Sequence, residues 1–208
     1  MSVRRAIQLV RRPVFTTREI AALAGTSLSS ASQTLARMEQ EHLLTRAARG
    51  IWCVTDDPRF TPFLLVLYLS GGHQAYVSFL SALHLHGMIG QIPQVVYAAT
   101  TAHTRRRDTP VGTFCFHRIQ PAFFSGFDWY REQSFLIASP EKALIDCLYL
   151  SSRKGGRFGH FPEIEPIAGF SVRRARDWVK KIPYPKIRAH VSAKLTALLE
   201  SAREPGIA

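Results

Sequence analysis

The sequence has few acidic residues, few cysteines and no long apolar run. Asp and Glu make up 15 of its 208 residues against 27 Lys and Arg, a formal net charge of +12. Its three cysteines, at 53, 115 and 147, form no Cys-x-x-Cys pair, so no zinc or disulfide framework is expected, and a reducing compartment fits. The longest apolar run, FLLVLYL at 63–69, is far shorter than the roughly 20 residues that cross a bilayer. The basic N-terminus lacks the apolar stretch of a secretory signal. We therefore expect a cytoplasmic protein with no membrane partner.

Motifs of the common enzyme classes are missing too. The chain has no His-Glu-x-x-His, no Gly-x-Ser-x-Gly and no Gly-rich phosphate loop that ends in Lys-Ser or Lys-Thr. The acidic residues at 128, 132, 163 and 165 do not form the Asp and Glu-x-Lys pattern of a metal-dependent nuclease. We expect no catalytic residues, no metal and no cofactor. A nucleic-acid-processing enzyme with a site assembled from distant residues stays open as an alternative.

The basic excess lies at the two ends of the chain. Residues 1–55 carry 8 basic and 3 acidic residues, residues 56–150 carry 7 of each, and residues 151–208 carry 12 and 5. Most of these cations are arginine, which pairs bidentately with phosphate and displaces counterions from nucleic acid. The distribution indicates a polyanionic partner. The alternative is a basic protein with no such partner.

Residues 1–57 contain the signals of three helices and a hairpin. Helical spacing of apolar residues in 3–12 predicts a first helix, which Pro13 ends. Thr16 and Glu19 have the spacing of a capping box, which predicts a second helix ending near Gly25. Its inward residues are expected to be Ile20, Leu23 and Ala24.

The third predicted helix follows in the segment TSLSSASQTLARMEQEHLL. Its inward residues, recurring at spacings of three and four, are Leu28, Ala31, Leu35, Met38 and His42. The opposite face is polar and precedes the first acidic residue of this segment, Glu39; it carries Ser29, Ser30, Gln33, Thr34 and Arg37. Gln reads adenine, Arg reads guanine, and small hydroxyl residues let a helix lie close to DNA. This face is the candidate DNA-reading surface.

The segment LLTRAARGIWCVT predicts a hairpin with a basic tip, in which Arg46 and Arg49 reach the DNA backbone or minor groove. The order of helix, helix, turn, helix and hairpin is that of a winged helix-turn-helix domain, here residues 1–57. A winged helix used only for protein contacts is the alternative.

A linker, DDPRFTP at 56–62, is expected to separate this domain from a second one at 62–208. Apolar segments at 62–72 and 75–90 predict two short helices. Segments at 94–101, 112–119 and 127–139 predict four strands, and 139–150 a helix. The expected fold class is α+β: an N-terminal winged helix-turn-helix, then a small mixed α/β domain with C-terminal helices.

Two further basic segments are secondary candidates for nucleic-acid contacts. Arg105, Arg106 and Arg107 are predicted to lie in a loop between strands. The basic helical end at about 170–204 is predicted to turn an apolar stripe inward, formed by Ala175, Trp178, Val179 and Ile182. Its outer face carries Arg173, Arg174, Lys180 and Lys181. For both segments, simple solvation of the charges is the alternative.

The segment SPEKALIDCLYL at 139–150 crowds charged residues as an active site does, yet its spacing favours a capped structural helix. Ser139 suits the N-cap, Pro140 the first helical position, and Glu141 the positive end of the helix dipole. Lys142 and Asp146, four residues apart, are expected to pair on the surface. The predicted buried side consists of Ala143, Leu144, Cys147, Leu148 and Leu150.

Three segments together resemble the AbiEi antitoxins of type IV toxin–antitoxin systems: TTREIAALAGTSLSSASQTLARMEQEHLL, YVSFLSALHLHGMI and ASPEKALIDCLYL. The resemblance covers roughly residues 13–150. It implies a bacterial winged helix that binds double-stranded DNA in its own promoter region and represses its operon, with Ser29, Ser30, Gln33 and Arg37 as the reading face. It also implies an antitoxin domain at 62–208 that opposes a nucleotidyltransferase-like toxin without a stable complex. A stand-alone winged-helix regulator without a toxin partner is the alternative.

Overall fold

The computed structural model of the protein describes residues 1–130, 135–152, 158, 163–165, 167 and 169–201. Helices and strands alternate irregularly around a three-stranded and a six-stranded sheet. The expected α+β class is therefore confirmed.

The N-terminal unit, residues 1–57, holds three helices and the smaller sheet. Its strands run antiparallel in the order β1-β3-β2. The first of them, VFT, is too short to stand out as a strand in the sequence. In chain order the elements are α1 (Val3–Val10), β1 (Val14–Thr16), α2 (Thr17–Ala24), α3 (Leu28–Gln40), β2 (Thr45–Ala48) and β3 (Ile51–Cys53).

Local capping fixes where α2 and α3 begin. The predicted capping box is present: the Thr16 N–H donates to Glu19 Oε2 at 2.7 Å, and the Glu19 N–H donates to Thr16 Oγ1 at 3.1 Å. Gly25 ends α2 with φ of 66°, in the left-handed region that favours glycine. The Ser27 hydroxyl then accepts from the Ser30 N–H at 3.1 Å and caps α3. The turn between the two helices is thus set by adjacent residues.

Three residues expected in the core of this unit are instead exposed: Leu23, Leu28 and His42. Leu28 is the first residue of α3, beyond the turns that face the core, while Leu23 lies on the solvent side of α2. His42 follows the end of α3 with φ of 58°, so the helical period no longer applies to it. The predicted inward face of α3 is confirmed at Ala31, Leu35 and Met38, which are buried.

The second unit, from residue 62 onward, is built on the larger sheet. Its strand order is β6-β7-β5-β4-β9-β8, with parallel pairing of β5 with β7 and of β4 with β9. A 3-10 turn at Pro62–Leu64 precedes its first helix. In chain order the elements are α4 (Leu65–Leu69), β4 (Ala75–Val77), α5 (Phe79–Leu85), β5 (Val95–Thr100), β6 (Arg105–Thr109), β7 (Gly112–Arg118), β8 (Phe127–Trp129), β9 (Leu136–Ala138), α6 (Pro140–Ser151), α7 (Val172–Lys180) and α8 (Pro185–Ser201).

Two strands of this sheet correct the sequence-based expectation. The apolar pattern predicts a helix over residues 75–77, but they form β4, because a short apolar run looks the same in a buried strand and a buried helix. The sequence predicts a loop for Arg105, Arg106 and Arg107, but they lie on β6, paired with β7. As β6 is an edge strand, water can solvate charges there, and the backbone still pairs on one side.

Helix α6 is the centre of the second unit, and its charged residues are buried. The expected Lys142–Asp146 pair forms, but not on the surface: both side chains are fully enclosed. Asp146 Oδ2 also accepts from the Tyr76 hydroxyl at 3.0 Å and the Ser78 hydroxyl at 2.8 Å. Burial lowers the pKa of Lys142 and raises the pKa of Asp146. Every helix residue from Glu141 to Ser151 is buried, so α6 has no solvent face.

The two units share apolar packing. Val14, Ala47 and Cys53 of the N-terminal unit belong to the same buried cluster as the core of the second unit. The Tyr68 hydroxyl of α4 donates to the Val14 carbonyl at 3.3 Å. Between the units, Arg59 donates to Asp57 and to the Arg11 carbonyl. The domain boundary at 57–62 stays a prediction.

Candidate nucleic-acid interface

Helix α3 presents most of the predicted reading face to solvent. Ser29, Ser30, Gln33 and Arg37 are exposed. Thr34 is half-buried, and its hydroxyl donates to the Ser30 carbonyl at 3.0 Å. Four of these five side chains are therefore open to a partner, while the Thr34 proton is already engaged within the helix.

An open groove of about 1010 Å³ lies between α3, the start of α2 and the β2–β3 hairpin. Four predicted site residues line it: Ser29, Gln33, Arg46 and Arg49. The other three, Ser30, Thr34 and Arg37, are not among its lining residues. Because each residue of a helix is turned by about 100° from the one before it, Ser30 does not share the direction of Ser29 and Gln33, and the predicted face divides between the groove and the outer flank of α3.

Arg18 and Ser32 also line this groove, and neither is among the residues predicted from the sequence. Ser32 follows Ser29 at a spacing of three, so the periodicity of α3 could have identified it. No local pattern identifies Arg18. It reaches the groove because the Thr17 N–H donates to the Gly50 carbonyl at 3.0 Å and holds the start of α2 against the hairpin. That contact joins residues distant in sequence.

The groove is strongly cationic. Arg18, Arg46 and Arg49 line it, and no acidic residue is among the described lining residues. The Arg46 guanidinium lies over the Trp52 ring, 5.6 Å from its centroid, and the Trp52 indole N–H donates to the Thr17 hydroxyl at 2.8 Å. This stacking on a buried ring restrains Arg46 while leaving it exposed. Such a groove is suited to a phosphate backbone.

The arginines of β6 are partly engaged within the protein. The Arg105 guanidinium donates to the Leu69 carbonyl at 3.1 Å and to the Ser70 carbonyl. Arg106 donates to the Asp108 carboxylate at 3.0 Å, and Arg107 is exposed. The contact of these residues with nucleic acid stays a prediction.

The cations of α7 and the residue after it also make internal contacts. Arg174 donates to the buried Glu141 carboxylate, at 2.8 Å from Nη2, and Lys180 donates to Asp177 at 2.7 Å. The Lys181 ammonium lies 3.9 Å from the centroid of the half-buried Trp178 ring. Arg173 is exposed. As predicted, Ala175, Val179 and Ile182 face inward and are buried.

Within the part of the chain that the structure describes, no three His, Cys, Asp or Glu side chains are grouped to hold a metal ion. None of the described helices is long and apolar enough to span a membrane. The cationic groove combines open volume with polar and cationic side chains.

Part of the chain is similar to a known protein family. A family model described as the Firmicute plasmid replication protein RepL matches residues 8–61, a range that contains α2, α3 and the hairpin. A search of curated proteins found no match. The matched range includes all of the residues that line the groove.

Proposed function

We propose that residues 1–57 form a winged helix-turn-helix domain that binds double-stranded DNA sequence-specifically. The observation that carries the proposal is the groove beside α3, in which three arginines and several neutral polar side chains meet, with no acidic residue among the described lining residues. The order of helices and strands, and the match to a plasmid replication family over residues 8–61, support it.

In this proposal α3 enters the major groove. Ser29 and Gln33 contact base edges, and Arg18, Arg46 and Arg49 contact the flanking phosphates. Helix α3 has 13 residues and is about 20 Å long, enough to cross one major groove. Ser30 and Arg37, on the outer flank of α3, contact the opposite wall of the DNA major groove.

The first experiment measures DNA affinity by mobility shift on the DNA upstream of the gene, with unrelated DNA for comparison, at several salt concentrations. Gln33→Ala should cost about 1 to 3 kcal/mol on the specific site only, because a base contact is lost. Arg46→Ala should weaken binding to both DNAs and lower the salt slope by about 1.

The matched control is Arg5→Ala, an exposed arginine on α1 that does not line the groove and donates to Gln8. It should bind like the wild type apart from a small long-range charge effect. Equal affinity of the wild type for both DNAs would exclude specific recognition. If Ser29→Ala and Gln33→Ala bind normally while Ser30→Ala and Arg37→Ala do not, the outer flank is the reading face.

We further propose that the protein represses its own operon and that its second unit is the antitoxin of a type IV system in the bacterial cytoplasm. The resemblance of YVSFLSALHLHGMI and ASPEKALIDCLYL to AbiEi antitoxins supports this. In this proposal the protein is not an enzyme, and it opposes the effect of a nucleotidyltransferase-like toxin without forming a stable complex with it. Because the similarity to a plasmid replication family favours a second candidate, initiation at a plasmid origin, origin DNA belongs among the DNAs tested.

Co-expression separates repression from antitoxin activity. The full chain with Arg18→Ala, Gln33→Ala and Arg46→Ala should lose DNA binding, since all three residues line the groove, yet still relieve toxicity of the toxin encoded beside it. The full chain is required because Val14, Ala47 and Cys53 pack into the core of the second unit. A folded variant that neither binds DNA nor protects would contradict a separate antitoxin activity.

A further inference from the structure

A second cavity lies where the N-terminal unit meets the second unit. We propose that it is an effector site for a small aromatic carboxylate. The cavity has a volume of about 330 Å³ and is lined by the loop before β1, by β1, by α4 and by β8. Both this size and the position between two structural units are typical of small-molecule sites.

The walls of this cavity favour a planar apolar group. Val14 and Leu67 provide aliphatic surface, while Tyr68 and Trp129 provide rings. The Tyr68 hydroxyl donates a hydrogen bond to the Val14 carbonyl at 3.3 Å, so the polar group of this side chain already has a partner. Trp129 lies at the rim and is 56% exposed, which leaves a large apolar ring in water. An aromatic ligand would cover it and gain ring contacts.

Arg12 supplies the only charge among the described residues that line the cavity. A guanidinium presents two parallel N–H donors, and a carboxylate is the organic anion that matches them. A ring between Tyr68 and Trp129 with a carboxylate on Arg12 therefore satisfies the apolar and the charged part of the cavity together.

The Arg12 side chain also connects this cavity to the DNA groove, a step that rests on the proposed DNA binding. Its guanidinium pairs with Glu19 at 2.6 Å. Glu19 in turn caps α2 through Thr16, and Thr16 and Arg18 line the groove. A ligand carboxylate competes with Glu19 for Arg12. Once Arg12 no longer neutralises it, the negative charge of Glu19 repels DNA phosphates in the neighbouring groove more strongly, and DNA binds less tightly.

The binding arm of the test uses tryptophan fluorescence of the full chain without DNA. The probe is 3-phenylpropanoate, and the matched probe without charge is 3-phenylpropan-1-ol. We expect a saturable change that Trp129→Phe removes, with the acid binding about tenfold more tightly than the alcohol, the factor that one charge-assisted contact supplies. Equal affinities, or no saturation with the acid, would overturn the proposal.

Arg12→Gln should abolish the preference for the acid, and Arg11→Gln should keep it, because Arg11 does not line the cavity. In the DNA arm, the acid at saturation should weaken wild-type binding to the specific DNA about fivefold and leave Arg12→Gln unchanged. If the acid binds and DNA affinity stays constant, the regulatory step is wrong. If the acid binds but the protein binds no DNA, the effector site stands and the proposed function fails.

Discussion

At the scale of single residues, Gly126 shows how tightly the second unit encloses α6. Its φ is +83°, and a Cβ atom placed on it would lie 2.7 Å from Cη2 of Trp178 and 3.1 Å from Cγ of Lys142. Gly126→Ala should therefore lower the free energy of unfolding by about 2 to 4 kcal/mol, from backbone strain and overpacking together. Urea denaturation measures the change.

Gly90→Ala is the control for this substitution. Gly90 lies outside the left-handed region, and an added Cβ would meet no atom within 4 Å. Its unfolding free energy should stay within about 0.5 kcal/mol of the wild type. Similar effects of the two substitutions would show that the packing around Gly126 yields more readily than its geometry indicates.

Single residues were predictable where their partners are close in sequence. Thr16 and Glu19 were recognised because both halves of a capping box lie within four residues, and Ser139 caps α6 as expected, accepting from the Lys142 N–H at 3.2 Å. Arg18 was missed because its place in the groove depends on a hydrogen bond between Thr17 and Gly50. The exposure expected for Lys142 was wrong, since its spacing from Asp146 predicts the pair and not its burial.

At the scale of elements, α6 depends on the buried pair of Lys142 and Asp146. The Lys142 ammonium also donates to the Tyr76 hydroxyl at 3.1 Å and lies 3.9 Å from the centroid of the Phe123 ring. Lys142→Met should cost about 3 to 5 kcal/mol, because it leaves the Asp146 carboxylate without its cation in the interior.

The double substitution Lys142→Met with Asp146→Leu tests that reason. It removes both charges, so it should be more stable than Lys142→Met alone, as expected for a buried ion pair replaced by apolar groups. Thermal and urea unfolding of the wild type, both single variants and the double variant give the coupling energy. Additive effects would show that the pair contributes nothing beyond two independent residues.

Helices and strands with a clear apolar periodicity or a capping residue were predictable from the sequence. Short strands that are fully buried or rich in charged residues were not. Helices α2, α3 and α6 each follow a capping residue, and β5 and β7 are continuous apolar or alternating segments. By contrast, β4 has three buried residues and β6 begins with three arginines, so only pairing with neighbouring strands determines them. The partners of β4, which are β5 and β9, lie far along the chain and cannot be identified from local propensity. The partner of β6 is the strand that follows it, β7, and β6 escapes prediction because three consecutive arginines lack the apolar pattern of a strand.

At the scale of the whole molecule, each unit contains a carboxylate, Glu19 or Glu141, whose contacts in the folded state stabilise its charged form. Burial acts to raise the pKa of Glu19, but hydrogen bonds from Thr16 and Arg12 outweigh it, so the pKa lies below its ordinary value of 4.5. The pKa of Glu141 is also lowered: burial opposes the shift, and hydrogen bonds from Ser171, its own backbone and Arg174 outweigh burial. Both groups ionise more readily in the folded state than in the unfolded state.

The contribution of these carboxylates to stability is fully present above their unfolded-state pKa and is lost as the pH falls through the lower folded-state pKa. Glu19→Gln should therefore be less stable than the wild type at pH 7, and the difference should shrink in acid. Unfolding free energies from pH 7 to pH 3 measure this. Glu200→Gln, at an exposed position on α8, should follow the wild-type curve throughout. A constant difference for Glu19→Gln would contradict the charge-based explanation.

The apolar packing of Val14, Ala47 and Cys53 against the second unit constrains how such proteins are recombined. A chimera that takes its N-terminal unit from another protein would present a foreign surface to the core of the second unit. Such a graft should fail unless the matching positions, Leu65 and Leu69 among them, are exchanged with it. If α3 reads DNA as proposed, the DNA specificity should therefore change more readily by point substitution in α3 than by exchange of the whole unit.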